Sequence, residues 1–235
     1  MLKSPRRWSK DVLAYTPAMQ YRKSYALADL DKKLEPYIGK KRGTFIEAGA
    51  NDGIKQSNTL YFEQYFGWTG ILIEPIPELS EACKQNRPLA KVVNAALVSA
   101  DHQGETIRMT YCGLMSTTVG SMQSEDQRLA HTKVGVQFLT NGQTPYEVDV
   151  PTRTLSSIID EFAVSEIDLL SLDIEGFEPS ALRGLDLSRH APQFILIETR
   201  HHQRHEIDEI LANAYKPIAA LTLYDEHSDV LFARR

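Results

Sequence analysis

The stretch Thr44-Phe45-Ile46-Glu47-Ala48-Gly49-Ala50-Asn51-Asp52-Gly53 starts as a short apolar, β-prone run and ends in a loop bracketed by two glycines. Just beyond it, Ser57 and Asn58 can cap a helix through Leu60-Tyr61-Phe62-Glu63-Gln64-Tyr65-Phe66, which stops at Gly67. Strand, loop and helix in that order open an α/β unit. Gly49 and Gly53 remove side chains where a ligand would have to approach the backbone.

The same rhythm continues outward from this unit. Thr69 to Glu74 reads as a second strand, and Pro77 opens a helix that turns Leu79, Ala82 and Cys83 inward. Lys91 to Val98 reads as a third strand with its exit. After an irregular stretch the alternation resumes with a helix from Thr154 to Phe162. A fourth strand, Ile167 to Leu172, ends at Asp173, and a fifth, Gln193 to Ile197, ends at Glu198. Ile207, Ile210, Leu211, Ala214 and Tyr215 make a helical stripe. Two last strands, near 218–223 and 230–233, are joined by a link short enough for an antiparallel hairpin. Strands this apolar between amphipathic helices predict a largely parallel sheet covered on both faces.

The flanks are less regular. Residues 1–18 are mixed and basic and read as a loose arm. Met19 to Ile38 has helical spacing that Pro36 interrupts. The expected division is an N-terminal arm and helix over 1–42 and a single domain over 43–235. That domain carries an insert near 110–150 with hairpin-like pieces at 106–109 and 146–150. Its polar part, Tyr111 to Thr144, is the candidate cover for a substrate.

The chain has 235 residues, enough for one well-buried core. A net charge of −5 argues against a nucleic-acid-binding protein, which would carry a basic surplus. No apolar run is long enough to span a membrane, and the basic start has no apolar segment behind it, so a cytoplasmic location is expected. Cys83 and Cys112 fit neither a zinc spacing nor a disulfide framework and read as small buried hydrophobes. Oligomeric state is not legible.

In an open parallel sheet, ligands bind beyond the carboxyl ends of the strands. Acidic residues stand at four of the five exits: Glu47, Glu74, Asp173 with Glu175, and Glu198. The first loop lacks the G-x-G-x-x-G pattern, and its carboxylates are poor company for a pyrophosphate. They suit a cationic, phosphate-free nucleoside that bears an amino acid, and S-adenosylmethionine is such a ligand. Glu74 is placed to accept both ribose hydroxyls. Methyl transfer to a hydroxyl needs a base or a metal. Candidate bases are Asp173, Glu175, His201, His202 and His131. Carboxylates could also gather a Mg²⁺, but the spacing is not diagnostic and a metal is not predicted. The expected partner is a small-molecule or carbohydrate substrate.

The blocks 44–53, Gly70-Ile71-Leu72-Ile73-Glu74-Pro75, Val93-Asn94-Ala95-Ala96 and 167–178, with Leu182-Arg183-Gly184 after them, resemble the FkbM family of S-adenosylmethionine-dependent methyltransferases. The resemblance runs from Thr44 to the C-terminus. It implies a class I methyltransferase fold, a Rossmann-like three-layer sandwich on a seven-stranded sheet with one antiparallel strand. It also implies O-methylation of a sugar, glycan or natural-product hydroxyl. On the matching positions, Glu47, Gly49, Asn51, Asp52 and Gly53 would hold the methionine part of the cofactor. Glu74, with Pro75 after it, would hold the ribose, and Asn94 and Ala95 would pass the adenine edge. Asp173 would stand where the methyl group meets the acceptor, with His201 and His202 on the same rim. The segment 52–75 is also similar to an animal branch that acts in protein trafficking. The alternative reading is therefore a non-catalytic binding module on the same fold.

Overall fold

The computed structural model describes residues 21–113, 116–118, 133–139 and 144–235. Its main sheet is built from β1 (Thr44–Ala48), β2 (Thr69–Ile73), β3 (Lys91–Val93), β8 (Leu169–Leu172), β9 (Phe194–Arg200), β10 (Tyr215–Ala220) and β11 (His227–Arg234). The strand order is β10-β11-β9-β8-β1-β2-β3. β1 pairs in parallel with β2 and β8, and β11 runs antiparallel to both of its neighbours. This is the class I methyltransferase topology, with β11 as the antiparallel strand.

Among the described residues, the helices that pack around the sheet include α1 (Leu30–Ile38), α2 (Leu60–Phe66), α3 (Pro77–Asn86), α4 (Leu155–Glu161), α5 (Glu178–Arg183) and α6 (Arg204–Leu211). Strand alternation sorts the core into two layers. Ile46, Ile71, Leu170, Ile195 and Ile197 face α4, α5 and α6. Phe45, Leu72, Leu169, Leu196 and Leu231 face α1, α2 and α3. With both faces covered, the central strand β8 is buried at every residue.

A smaller sheet, β4-β7-β5-β6, stands beside the main one, built from β4 (Ala96–Leu97), β5 (Thr106–Tyr111), β6 (Thr117–Thr118) and β7 (Tyr146–Arg153). The two hairpin-like pieces of the insert pair with each other as β5 and β7. The expected third strand divides in two. β3 stays in the main sheet and β4 crosses to the small one, because the Asn94 amide between them is tied to the carbonyls of Glu74 (2.9 Å) and Pro75 (2.7 Å).

Two boundaries differ from expectation. The α-helix of the N-terminal region begins at Leu30, preceded by a 3₁₀ turn over Leu27–Asp29. The buried Asp31 carboxylate accepts bonds from the Ser24 hydroxyl (2.6 Å) and the Tyr25 (2.7 Å) and Ala26 (3.2 Å) amides, which turns the preceding chain out of helix. Pro36 sits inside α1 without ending it. Tyr215 opens β10 rather than closing a helix, and its hydroxyl donates to the Pro192 carbonyl at 2.7 Å.

Candidate active site

A cleft of about 1160 Å³ opens at the carboxyl edge of the main sheet. One half is walled by Gly49, Asn51, Asn58, Glu74, Pro75 and Leu79. The other is walled by Asp173 to Gly176, Glu198, Arg200 to Gln203 and the β10–β11 link with His227 and Asp229. Leu27 and Leu30 close one side, and Met109, Gly113, Ser116 and Val134 of the insert reach the cleft. Leu114, Met115 and His131 lie outside the described residues.

The first half is fixed by short backbone contacts. Gly49 has φ +81°, and a Cβ there would stand 1.9 Å from the Asp173 carbonyl oxygen, so only glycine fits. The buried Glu74 carboxylate accepts the Asn51 amide on one oxygen (2.8 Å) and the Ile76 amide on the other (2.9 Å). Two amides use two of about four lone-pair sites and leave two for a diol. Burial pushes the Glu74 carboxyl up to about 7, against the pull of those two amides.

Glu47 lies behind the cleft wall. Phe45 and Glu47 share a strand face, and that face points under α2 rather than into the cleft. The Glu47 carboxylate accepts the Asn58 amide (2.6 Å), the Ser57 hydroxyl (2.9 Å) and the Thr59 hydroxyl. Ser57 Oγ in turn accepts the Leu60 amide at 3.0 Å, so the start of α2 is capped from within the chain. In dinucleotide-binding sheets these amides receive the pyrophosphate. Here a hydroxyl and a buried carboxylate already occupy them, which disfavours a nicotinamide cofactor.

Arg87, which the sequence reading missed, completes this network. Its fully buried guanidinium pairs with Glu63 (2.7 Å) and donates to the Gly53 carbonyl (3.0 Å), Ser57 Oγ (3.2 Å) and Thr59 Oγ1 (3.2 Å). Asp52 and Gly53 stand in the same turn, where the Asp52 carboxylate caps the Ile54 (2.9 Å) and Lys55 (2.7 Å) amides. Asp52, Gly53, Asn94 and Ala95 shape the loops behind the cleft and do not line it. Cys83 and Cys112 are buried and form no disulfide.

The second half is electrostatically tense. The half-buried Asp173 carboxyl is raised well above the ordinary range, first by burial and then by Glu198, Asp229, Glu178 and Glu47. Burial and neighbouring carboxylates also push Glu175 and Glu198 up to about 8, against the pull of Arg200. Glu175 has a left-handed backbone (φ 57°), and Arg200 holds its carboxylate at 2.8 Å. Glu178 supports this loop through bonds from the Ile174 (2.9 Å) and Gly176 (3.2 Å) amides. His201 and His202 are exposed at the rim. Among the described residues, no three His, Cys, Asp or Glu side chains are grouped to hold a metal ion. None of the described helices is long and apolar enough to cross a membrane.

Fold and cleft together define a methyltransferase-type α/β protein. Residues 47–217 match the methyltransferase FkbM domain. The chain belongs to that family. Comparison with curated proteins gave no match. Among solved structures, a methyltransferase FkbM from Methylobacillus flagellatus is similar at 15% identity and TM-score 0.48, over 92% of this chain and 58% of that one. A TehB-like SAM-dependent methyltransferase from Corynebacterium glutamicum is similar at 14% identity and TM-score 0.46, over 88% of this chain and 87% of that one. At these scores the likenesses add nothing to the topology described above.

Proposed function

We propose that the protein is a cytoplasmic S-adenosylmethionine-dependent O-methyltransferase acting on a hydroxyl of a sugar, glycan or natural product. The observation that carries the reading is Glu74: a buried carboxylate at the end of β2, aimed into the cleft, with acceptor capacity left for two ribose hydroxyls. The residues present fit this cofactor. Gly49 and Asn51 would flank its amino-acid part, and Pro75 and Leu79 offer apolar surface for its base. Glu47, Asp52, Gly53, Asn94 and Ala95 would act by holding those loops. When bound, the cofactor supplies an electrophilic methyl group on a sulfonium. Asp173, beside Gly49 at the junction of the two halves, would orient the acceptor there, and His201 and His202 would contact it at the rim. Proximity and a nearby base are what the protein adds. Cysteines that form no disulfide suit a reducing compartment.

The test is calorimetry with S-adenosylhomocysteine, followed by transfer of labelled methyl from S-adenosylmethionine to a panel of methyl glycosides and phenols. Wild-type protein is expected to bind. Glu74→Ala should bind about tenfold or more weakly, since each bond to a charged acceptor contributes about 1.5–3 kcal/mol. No binding by the wild type, or equal binding by the variant, overturns the reading. Binding with no transfer to any hydroxyl overturns the catalytic part.

A further inference from the structure

Four ionisable groups meet where β9 and β11 run side by side. In the antiparallel register Glu198 lies opposite Asp229, and Arg200 opposite His227. Opposed residues in such a pair point to the same side, and all four line the cleft. Neither Asp229 nor His227 was singled out from the sequence.

Glu198 differs from Glu175, Glu178 and Asp229 beside it. Glu175 is tied to Arg200 at 2.8 Å, Glu178 to two backbone amides, and Asp229 to the Thr222 hydroxyl. The Glu198 carboxylate accepts no hydrogen bond from the described residues. His227 Nε2 lies 3.6 Å from its Oε2. Glu198 is 17% exposed and His227 30%, so the pair leads from the cleft wall towards water. The imidazole lies against the Tyr224 ring (centroids 4.6 Å apart), and burial lowers its pKa. It is therefore neutral near pH 7 and keeps a lone pair for a proton.

Asp173 is the rival for the same role. After burial, the groups that raise it most are four other carboxylates. Glu198 faces Asp173 and Glu175 from the loop after β8, Glu178 from α5, Asp229 and His227 from β11, and Arg200 on its own strand. Arg200 favours the ionised form of Glu198, and His227 at 3.6 Å gives its proton a way out of the cleft. Two acids in unlike surroundings can take different tasks.

We propose that Glu198 takes the proton from the acceptor hydroxyl and that His227 carries it to solvent. This rests on the methyl-transfer reading above. The acceptor O–H proton goes to a Glu198 oxygen while the acceptor oxygen's lone pair takes the methyl carbon, the carbon–sulfur electron pair staying on sulfur. Glu198 then passes the proton to His227 Nε2. His227 releases one from Nδ1 to water, which restores Glu198 and leaves the imidazole neutral with its proton on Nε2; exchange with water returns that proton to Nδ1 before the next turnover. Asp173 keeps its proton and donates a hydrogen bond to the acceptor.

The experiment is a carboxyl ¹³C and histidine-ring NMR titration of the protein saturated with S-adenosylhomocysteine, using Glu198→Gln and His227→Gln to assign the signals. Glu198 is expected to titrate near the value of about 8 given above. Glu198→Gln should move the His227 curve by about half a pH unit or more, as coupled sites do. With the hydroxyl that reacts best in the panel, Glu198→Gln should lose about 10²–10⁴ in kcat at unchanged S-adenosylhomocysteine affinity. His227→Gln should lose less and be rescued by added imidazole. Ordinary carboxylate titration of Glu198, a His227 curve indifferent to Glu198→Gln, or undiminished kcat overturns the assignment. Failure of the wild type to bind S-adenosylhomocysteine overturns the methyl-transfer reading and this role with it. Normal binding with uncoupled titrations overturns the role alone.

Discussion

The two halves of the cleft solve opposite problems with the same kind of side chain. Around β1 and β2, carboxylates are buried and satisfied: Glu47 by three donors, Glu63 by Arg87, and Glu74 by two amides. Around β8, β9 and β11, carboxylates are crowded, and Asp173 and Glu198 take no hydrogen bond from the described residues. Satisfied groups give a preorganised wall that needs no rearrangement when a ligand arrives. Crowded groups store repulsion and respond to what enters. Binding belongs to the first kind of wall and proton transfer to the second.

The contrast can be broken most forcefully at Arg87. Arg87→Met leaves Glu63 and Glu47 buried without their cation, and a loss of about 3–5 kcal/mol in unfolding free energy is expected by denaturant titration. A loss below about 1 kcal/mol would show that the first half is less tightly satisfied than its geometry indicates. The next effect is on cofactor affinity. Ribose hydroxyls donate to ionised Glu74, whose free-protein value is about 7. Below that pH the ligand must displace a proton, so S-adenosylhomocysteine affinity should fall by up to about tenfold per pH unit. Calorimetry in buffers of different ionisation enthalpy should detect proton release near pH 6. Proton uptake there would reverse the assignment.

A smaller effect concerns stability. Glu74, Glu175 and Glu198 hold protons in the folded state up to about 7 to 8, well above their unfolded values. Their contribution is present in full below the unfolded carboxylate range. It is lost as pH rises towards 8, because the folded state then binds more protons than the unfolded one. His227 opposes this below its ordinary value, since burial lowers it. The ligand-free protein should therefore melt at lower temperature at pH 8 than at pH 6, and adding S-adenosylhomocysteine should narrow the gap. The least effect is expected at the rim. His201→Ala and His202→Ala should change stability by less than about 0.5 kcal/mol, as exposed substitutions do, and show themselves only in acceptor KM.

Much of this was legible in the sequence because strand ends mark themselves. Glu74, Asp173 and Glu198 each follow an apolar run, and a parallel sheet delivers such residues to one edge. Strand alternation bears on where Glu47 points: it shares parity with Phe45, a residue whose bulk must point into a helix layer. Arg87 carries no signal of its own, since an arginine ending a helix is usually solvated, and only tertiary packing buries it. His227 and Asp229 become meaningful through the register of β11 on β9, which a sequence with a short hairpin link does not specify. The N-terminal turn was hidden because Asp31, inside the helical pattern, competes for the backbone amides ahead of it.

The position of β11 has a consequence for how the chain assembles. It is made after both β9 and β10, yet it must enter between them. Until it does, β9 presents an unpaired row of amides and carbonyls, the kind of open slot into which a foreign strand can dock. A chain interrupted before His227 would keep that slot permanently, and aggregation is the expected fate of such fragments.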